Sequence, residues 1–129
     1  MAVTYSVTLR NSRLAAVTTE VGSNGLLRIY SGTRPAGGGT PTTLLAELPL
    51  PATFAPAPSG GVLTGNPISS ATAVATGTAT WFRITTSGGT YVFDGDAGEA
   101  GTELILDNAS IVASGTVSVS SLIITGGNA

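Results

Sequence analysis

The residues best equipped for chemistry in this chain are four carboxylates within ten positions: Asp94, Asp96, Glu99 and Glu103. Gly95, Gly98 and Gly101 lie among them and permit a tightly curved backbone. Hard cations take oxygen ligands from such loops, so Asp94, Asp96 and Glu99 are the candidate metal ligands. Their spacing is not that of an EF-hand, and a solvated hairpin connection accounts for the same residues. Paired carboxylates also serve glycoside hydrolysis. That chemistry needs a shaped sugar pocket, and the chain is 5% aromatic with a single tryptophan. Gly37-Gly38-Gly39 is rich enough in glycine for a phosphate cradle but lacks the lysine and the following helix, so a loop is expected there.

The missing residue types weigh more than those present. There is no histidine, cysteine, lysine or glutamine in the 129 residues. A Ser-His-Asp triad, a Cys-His pair, a Walker-type lysine and a zinc site of nitrogen or sulfur ligands are therefore excluded. No catalytic or cofactor-binding residue is nominated, no cofactor is expected, and a non-enzymatic structural or binding protein is the expectation. The five arginines, Arg10, Arg13, Arg28, Arg34 and Arg83, are scattered and the net charge is −2. Phosphate recognition needs clustered cations, so nucleic acid is not an expected partner.

Composition carries the same message. The chain is 42% hydrophobic and only 9% charged, against roughly 25% charged in ordinary globular domains. A surface so poor in charge suits a protein packed against other protein. No run reaches the roughly 18 to 20 apolar residues of a membrane span, and the first residues do not read as a secretory signal. Synthesis in the cytoplasm, without membrane association, is expected.

Two regions are distinguished. Residues 1–24 form an N-terminal arm with an amphipathic helix over 7–21, where Leu9, Leu14, Val17 and Val21 fall near helical spacing and Gly22 stops it. An extended arm is the alternative. Residues 25–129 read as one β domain of short runs punctuated by glycine and proline, with strands expected over 26–31, 43–50, 71–86, 90–94, 103–106 and 116–125 and at best a short strand pair over 62–69. The long run 71–86 reads as the central strand, and Ser87-Gly88-Gly89 as a hairpin turn. Six to eight short strands with frequent turns predict a mainly β fold: an antiparallel β-sandwich or jelly roll with one N-terminal helix.

Trp81 and Phe82 are adjacent, so on a strand they face opposite sides. One belongs in the core, the other under a loop or at an interface. Arg83 either pairs with an acidic neighbour or anchors a partner. Candidate contact residues for another protein are Met1, Ala2, Val3, Thr4 and Tyr5 of the arm, and Pro49, Pro51, Phe54, Pro56 and Pro58 of the proline-rich stretch. Both segments are apolar and unsuited to the middle of a sheet. The Asn108-Ala109-Ser110 acceptor sequence has no expected role without an export signal.

The segments LLRIYSGTRP from Leu26, TLLAELPL from Thr43, GGVLTGNPISS from Gly60, TGTATWFRI from Thr76, YVFDGDAG from Tyr91 and SIVASGTVSVSSLIIT from Ser110 cover nearly the whole chain. In that arrangement it resembles small virion proteins of tailed bacteriophages associated with capsid decoration or cement. The resemblance implies a protein on the surface of the virion that binds the outer face of the assembled head and clamps neighbouring capsomers. It also implies the major capsid protein and copies of itself as partners, a trimer being preferred and a dimer the alternative. A tail, connector or fibre-associated virion component and a carbohydrate-binding module are the competing expectations.

Overall fold

The computed structural model describes residues 4–125. The helix occupies the positions read from sequence, α1 (Val7–Val21). Ser6 caps it by accepting the Leu9 N–H at 3.1 Å, and Gly22, at φ 69°, closes it with a bond to the Thr18 carbonyl. Leu14 and Val21 are buried and Val17 packs partly against the core. Leu9 instead stands 44% exposed. The contact face runs through Arg10, Leu14, Val17 and Val21, and Leu9 lies about 100° away from Arg10 around the helix.

Eleven strands follow: β1 (Leu26–Tyr30), β2 (Leu44–Pro49), β3 (Val62–Thr64), β4 (Ala71–Thr72), β5 (Gly77–Thr78), β6 (Trp81–Thr85), β7 (Tyr91–Gly98), β8 (Leu104–Leu106), β9 (Ser110–Ile111), β10 (Thr116–Val117) and β11 (Val119–Thr125). Seven make one sheet in the order β2-β1-β6-β7-β8-β11-β3, while β4 pairs β10 and β5 pairs β9. The fold is mainly β with one N-terminal helix, and sandwich-like in burying one apolar cluster. The sheet is mixed rather than purely antiparallel, because β7 and β8 run parallel.

The run 71–86 is not one central strand. Its second half, β6, lies inside the large sheet between β1 and β7. Its first half pairs with 109–117 instead. Thr72 faces Thr116 and Gly77 faces Ile111, so five positions separate the two pairs on each side and the register holds across the unpaired corner between them. Period-two alternation also survives: Ala73 and Ala79 are buried, while Thr72, Val74, Thr76 and Thr78 are exposed. The inward residues are small because the ribbon lies close to β2. The Val74 N–H bonds the Leu45 carbonyl at 2.8 Å, and a Cβ on Gly77 would stand 3.0 Å from Leu45 Cδ2. The chain changes sheets near Thr80, whose N–H donates to the Tyr30 carbonyl.

One face of the large sheet carries Leu27, Ile29, Phe82, Ile84 and Phe93 into the core, where the Phe93 ring meets Phe82 and Phe54 edge-on at 5.9 and 6.3 Å. The other face carries Arg28, Tyr30, Trp81, Arg83, Asp94 and Asp96. The acidic cluster therefore begins inside a strand: β7 runs to Gly98, four residues beyond the expected end at 94. Its pairing with β6 explains the extension, since Arg83 faces Asp94 and Trp81 faces Asp96.

Candidate partner-binding surface

Each of the three arginines of the β body pairs with a carboxylate. Arg83 and Asp94 are both buried; the guanidinium donates to the carboxylate from Nε at 2.7 Å and Nη2 at 3.0 Å. The hydrogen bond to Asp94 raises the Arg83 pKa above its ordinary value, against the opposing effect of burial. Trp81 and Tyr91 flank the guanidinium, with ring centroids 5.3 and 5.0 Å from Cζ. Tyr91 reaches this face because a bulge shifts the β6–β7 register beside it, bringing it opposite Thr85. Next to Arg83 across the sheet stands Arg28, which donates to Glu47 at 2.9 Å. Four strands thus carry a row in the order acid, arginine, arginine, acid.

Residues 31–43 strap this face. Arg83 Nη2 donates to the Gly39 carbonyl at 2.8 Å, Trp81 Nε1 donates to Thr42 Oγ1 at 2.9 Å, and Arg34 lies 3.3 Å from Asp96. Trp81, stacked on Tyr30 with centroids 4.2 Å apart, is buried beneath the strap. Of the two settings expected for the second aromatic, the structure gives the covering loop. Gly38 lies against the Tyr91 ring, and no helix follows the three glycines.

The candidate metal ligands are dispersed. Asp94 faces Arg83, Asp96 faces Arg34, and Glu99 accepts the Ala109 N–H at 3.0 Å. Glu103 accepts the Asp96 N–H at 3.1 Å. Among the described residues no three such side chains converge. The carboxylates tie the strand, the strap and the 107–110 turn together.

Of the two segments nominated for protein contact, the proline-rich one packs beside α1 rather than beside the nominated arm residues. Pro58 and Ala57 run alongside α1 and, with Thr8, Asn11, Ser12 and Ala15, line an open groove of about 330 Å³. It continues over Thr18, Ala55 and Pro56 into a depression of about 170 Å³. No charged side chain lines either part. Asn11 accepts the Gly61 N–H at 2.9 Å, which anchors the helix to the start of β3. Of the other nominees, Thr4 and Pro49 are exposed, Pro51 is half-buried, and Tyr5 is half-buried with the Arg13 guanidinium 4.9 Å over its ring. Phe54 is 1% exposed. It is a core residue touching Phe93 and is removed from the contact set. Met1, Ala2 and Val3 lie outside the described residues.

Two neutral surfaces escaped the sequence reading. The helix wall of the groove (Thr8, Asn11, Ser12 and Ala15) is polar-neutral and gave no apolar signal. The outward face of the ribbon presents Thr72, Val74, Thr76 and Thr78 beside Ser110, Val112 and Thr116, with Val74 66% and Val112 63% exposed. Reading 71–86 as a central strand hid that face, although its period-two alternation was available.

No protein-family model matches the chain, no curated protein is significantly similar to it, and no solved structure shows significant similarity.

Proposed function

We propose that this chain is a bacteriophage capsid decoration, or cement, protein. It has no catalytic role in this reading. It binds the outer surface of the assembled head and bridges capsomers of the major capsid protein, after synthesis in the host cytoplasm. The observation that carries the proposal is the disposition of charge. The β body uses its carboxylates and arginines on internal partners and turns neutral Ser, Thr, Val, Ala and Pro surfaces outward at the groove and the ribbon. The scarcity of free charge on these surfaces suits burial against another protein, since the cores of protein interfaces are depleted in charged residues. A ligand that binds only the assembled state stabilises it by mass action, and repetition over many sites makes a modest affinity per copy sufficient.

The deciding experiment is the copy number of the chain in purified virions, by quantitative mass spectrometry against the major capsid protein. Hundreds of copies, near parity with the shell subunit, are expected. A handful of copies would move the protein to the tail, connector or fibre, and none would overturn the virion assignment. An arginine at Ala15 tests the groove: retention of the A15R variant on heads is expected to fall, with its melting temperature close to that of the parent chain because Ala15 is exposed.

A further inference from the structure

Once the internal pairs of the β body are assigned, the charged side chains with no oppositely charged partner among the described ion pairs include three on the helix: Arg10, Arg13 and Glu20. Arg10 points inward, toward Gly61. Arg13 and Glu20 are exposed and seven residues apart, two turns along one stripe that also holds Leu9 and Ala16. The stripe lies on the flank of α1 away from the groove, whose helix wall is Thr8, Asn11, Ser12 and Ala15. Leu9 is 44% exposed at its N-terminal end.

A stripe with a cation and an anion placed symmetrically about a small residue complements itself when reversed. If two copies of α1 cross antiparallel about a twofold axis near Ala16, Arg13 of each copy faces Glu20 of the other. The two ion pairs form reciprocally, as an isologous interface requires. Ala16 at the crossing lets the backbones approach closely, and Leu9 falls just beyond the C-terminal end of the opposing helix, opposite Asn24. A parallel or threefold arrangement instead sets Arg13 near Arg13 and Glu20 near Glu20.

We infer that the exposed Leu9-Arg13-Ala16-Glu20 stripe of α1 is a twofold self-association surface that takes a second copy of this chain. Arg13 already lies over the Tyr5 ring, which restricts the guanidinium and leaves its N–H edge for the carboxylate. The helix is about 22 Å long at ~1.5 Å per residue. A contact between two such helices is at the small end of specific interfaces, so the dimer is weak, with a Kd on the order of 100 µM. The inference does not depend on the capsid proposal, since it concerns the isolated chain.

Sedimentation equilibrium of the full chain over a range of concentrations reads it directly. The parent chain is expected to show a reversible monomer–dimer equilibrium. The charge reversals Arg13→Glu and Glu20→Arg should each weaken it by about tenfold or more, because each sets like charges opposite one another. An equimolar mixture of the two reversed chains should recover association, since one then offers two anions to two cations. Circular dichroism melts check that each variant folds, and the neutral variants Arg13→Gln and Glu20→Gln serve if a reversal does not. A chain that stays monomeric at millimolar concentration, forms trimers, dimerises unchanged after either reversal, or shows no recovery in the mixture overturns the inference.

Discussion

Arg83 does at residue scale what a disulfide or metal does in other small domains: it ties a loop to a sheet. Its five N–H donors form a planar fork, and the structure uses that fork for Asp94 and the Gly39 carbonyl while the guanidinium lies over the Trp81 and Tyr91 rings. Removing one member of a buried pair leaves the other uncompensated, so Arg83→Ala should lower stability by about 3–5 kcal/mol, measured by urea unfolding. Arg83→Lys should fall between, keeping the charge and losing the fork. Because the Arg83 pKa is raised, the stability it adds is present below the ordinary arginine pKa and lost only in strong alkali above it. Gly95 is the second residue of consequence. A Cβ there would stand 2.6 Å from the buried Phe82 ring. Gly95→Ala should cost about 1–3 kcal/mol by overpacking, readable as a fall in melting temperature.

At the scale of elements, α1 is held less securely than the inner strands of the large sheet. Its contact face buries Leu14 and Val21 fully, yet also buries Arg10 Nε and Thr18 Oγ1 without hydrogen-bond partners. Such atoms cost free energy that the few apolar contacts must offset. Hydrogen exchange should therefore show the α1 amides opening before those of β6 and β7, which lie inside the large sheet. Protection of α1 equal to that of β6 would contradict this. Helix bounds and the 87–89 turn were legible in sequence because each depends on local pattern: a cap, a glycine pair. The strand count was not: eleven strands form where six to eight were expected, because 71–86 and 116–125 each break into shorter pieces. Nor was the fate of 71–86 legible. Ala73, Ala75, Gly77 and Ala79 suit any close-packed layer, and only the proximity of Leu45 and of 109–117 divides the run between two sheets.

At the scale of the whole molecule, the two proposed surfaces differ in kind. The groove and ribbon are neutral, whereas the outer stripe of α1 is held by exposed charges. Raising ionic strength should weaken self-association and leave retention on heads nearly unchanged, since screening acts on exposed ion pairs and not on apolar contact. Sedimentation and a head-binding assay in parallel salt series would separate them. Equal salt sensitivity of both would show that one surface serves both purposes.

The sequence by itself determined the fold class, the helix, the absence of side chains for nucleophilic or metal chemistry based on histidine, cysteine or lysine, and the scarcity of charge. These are matters of composition and short-range periodicity, which no folding step alters. Only the tertiary structure decided that Phe54 is core, that the acidic cluster is split among separate partners, and that Arg83 is tied to a loop 44 residues away. Each of these depends on which strands become neighbours, and strand order is fixed by burial summed over the whole chain rather than by any local run of residues.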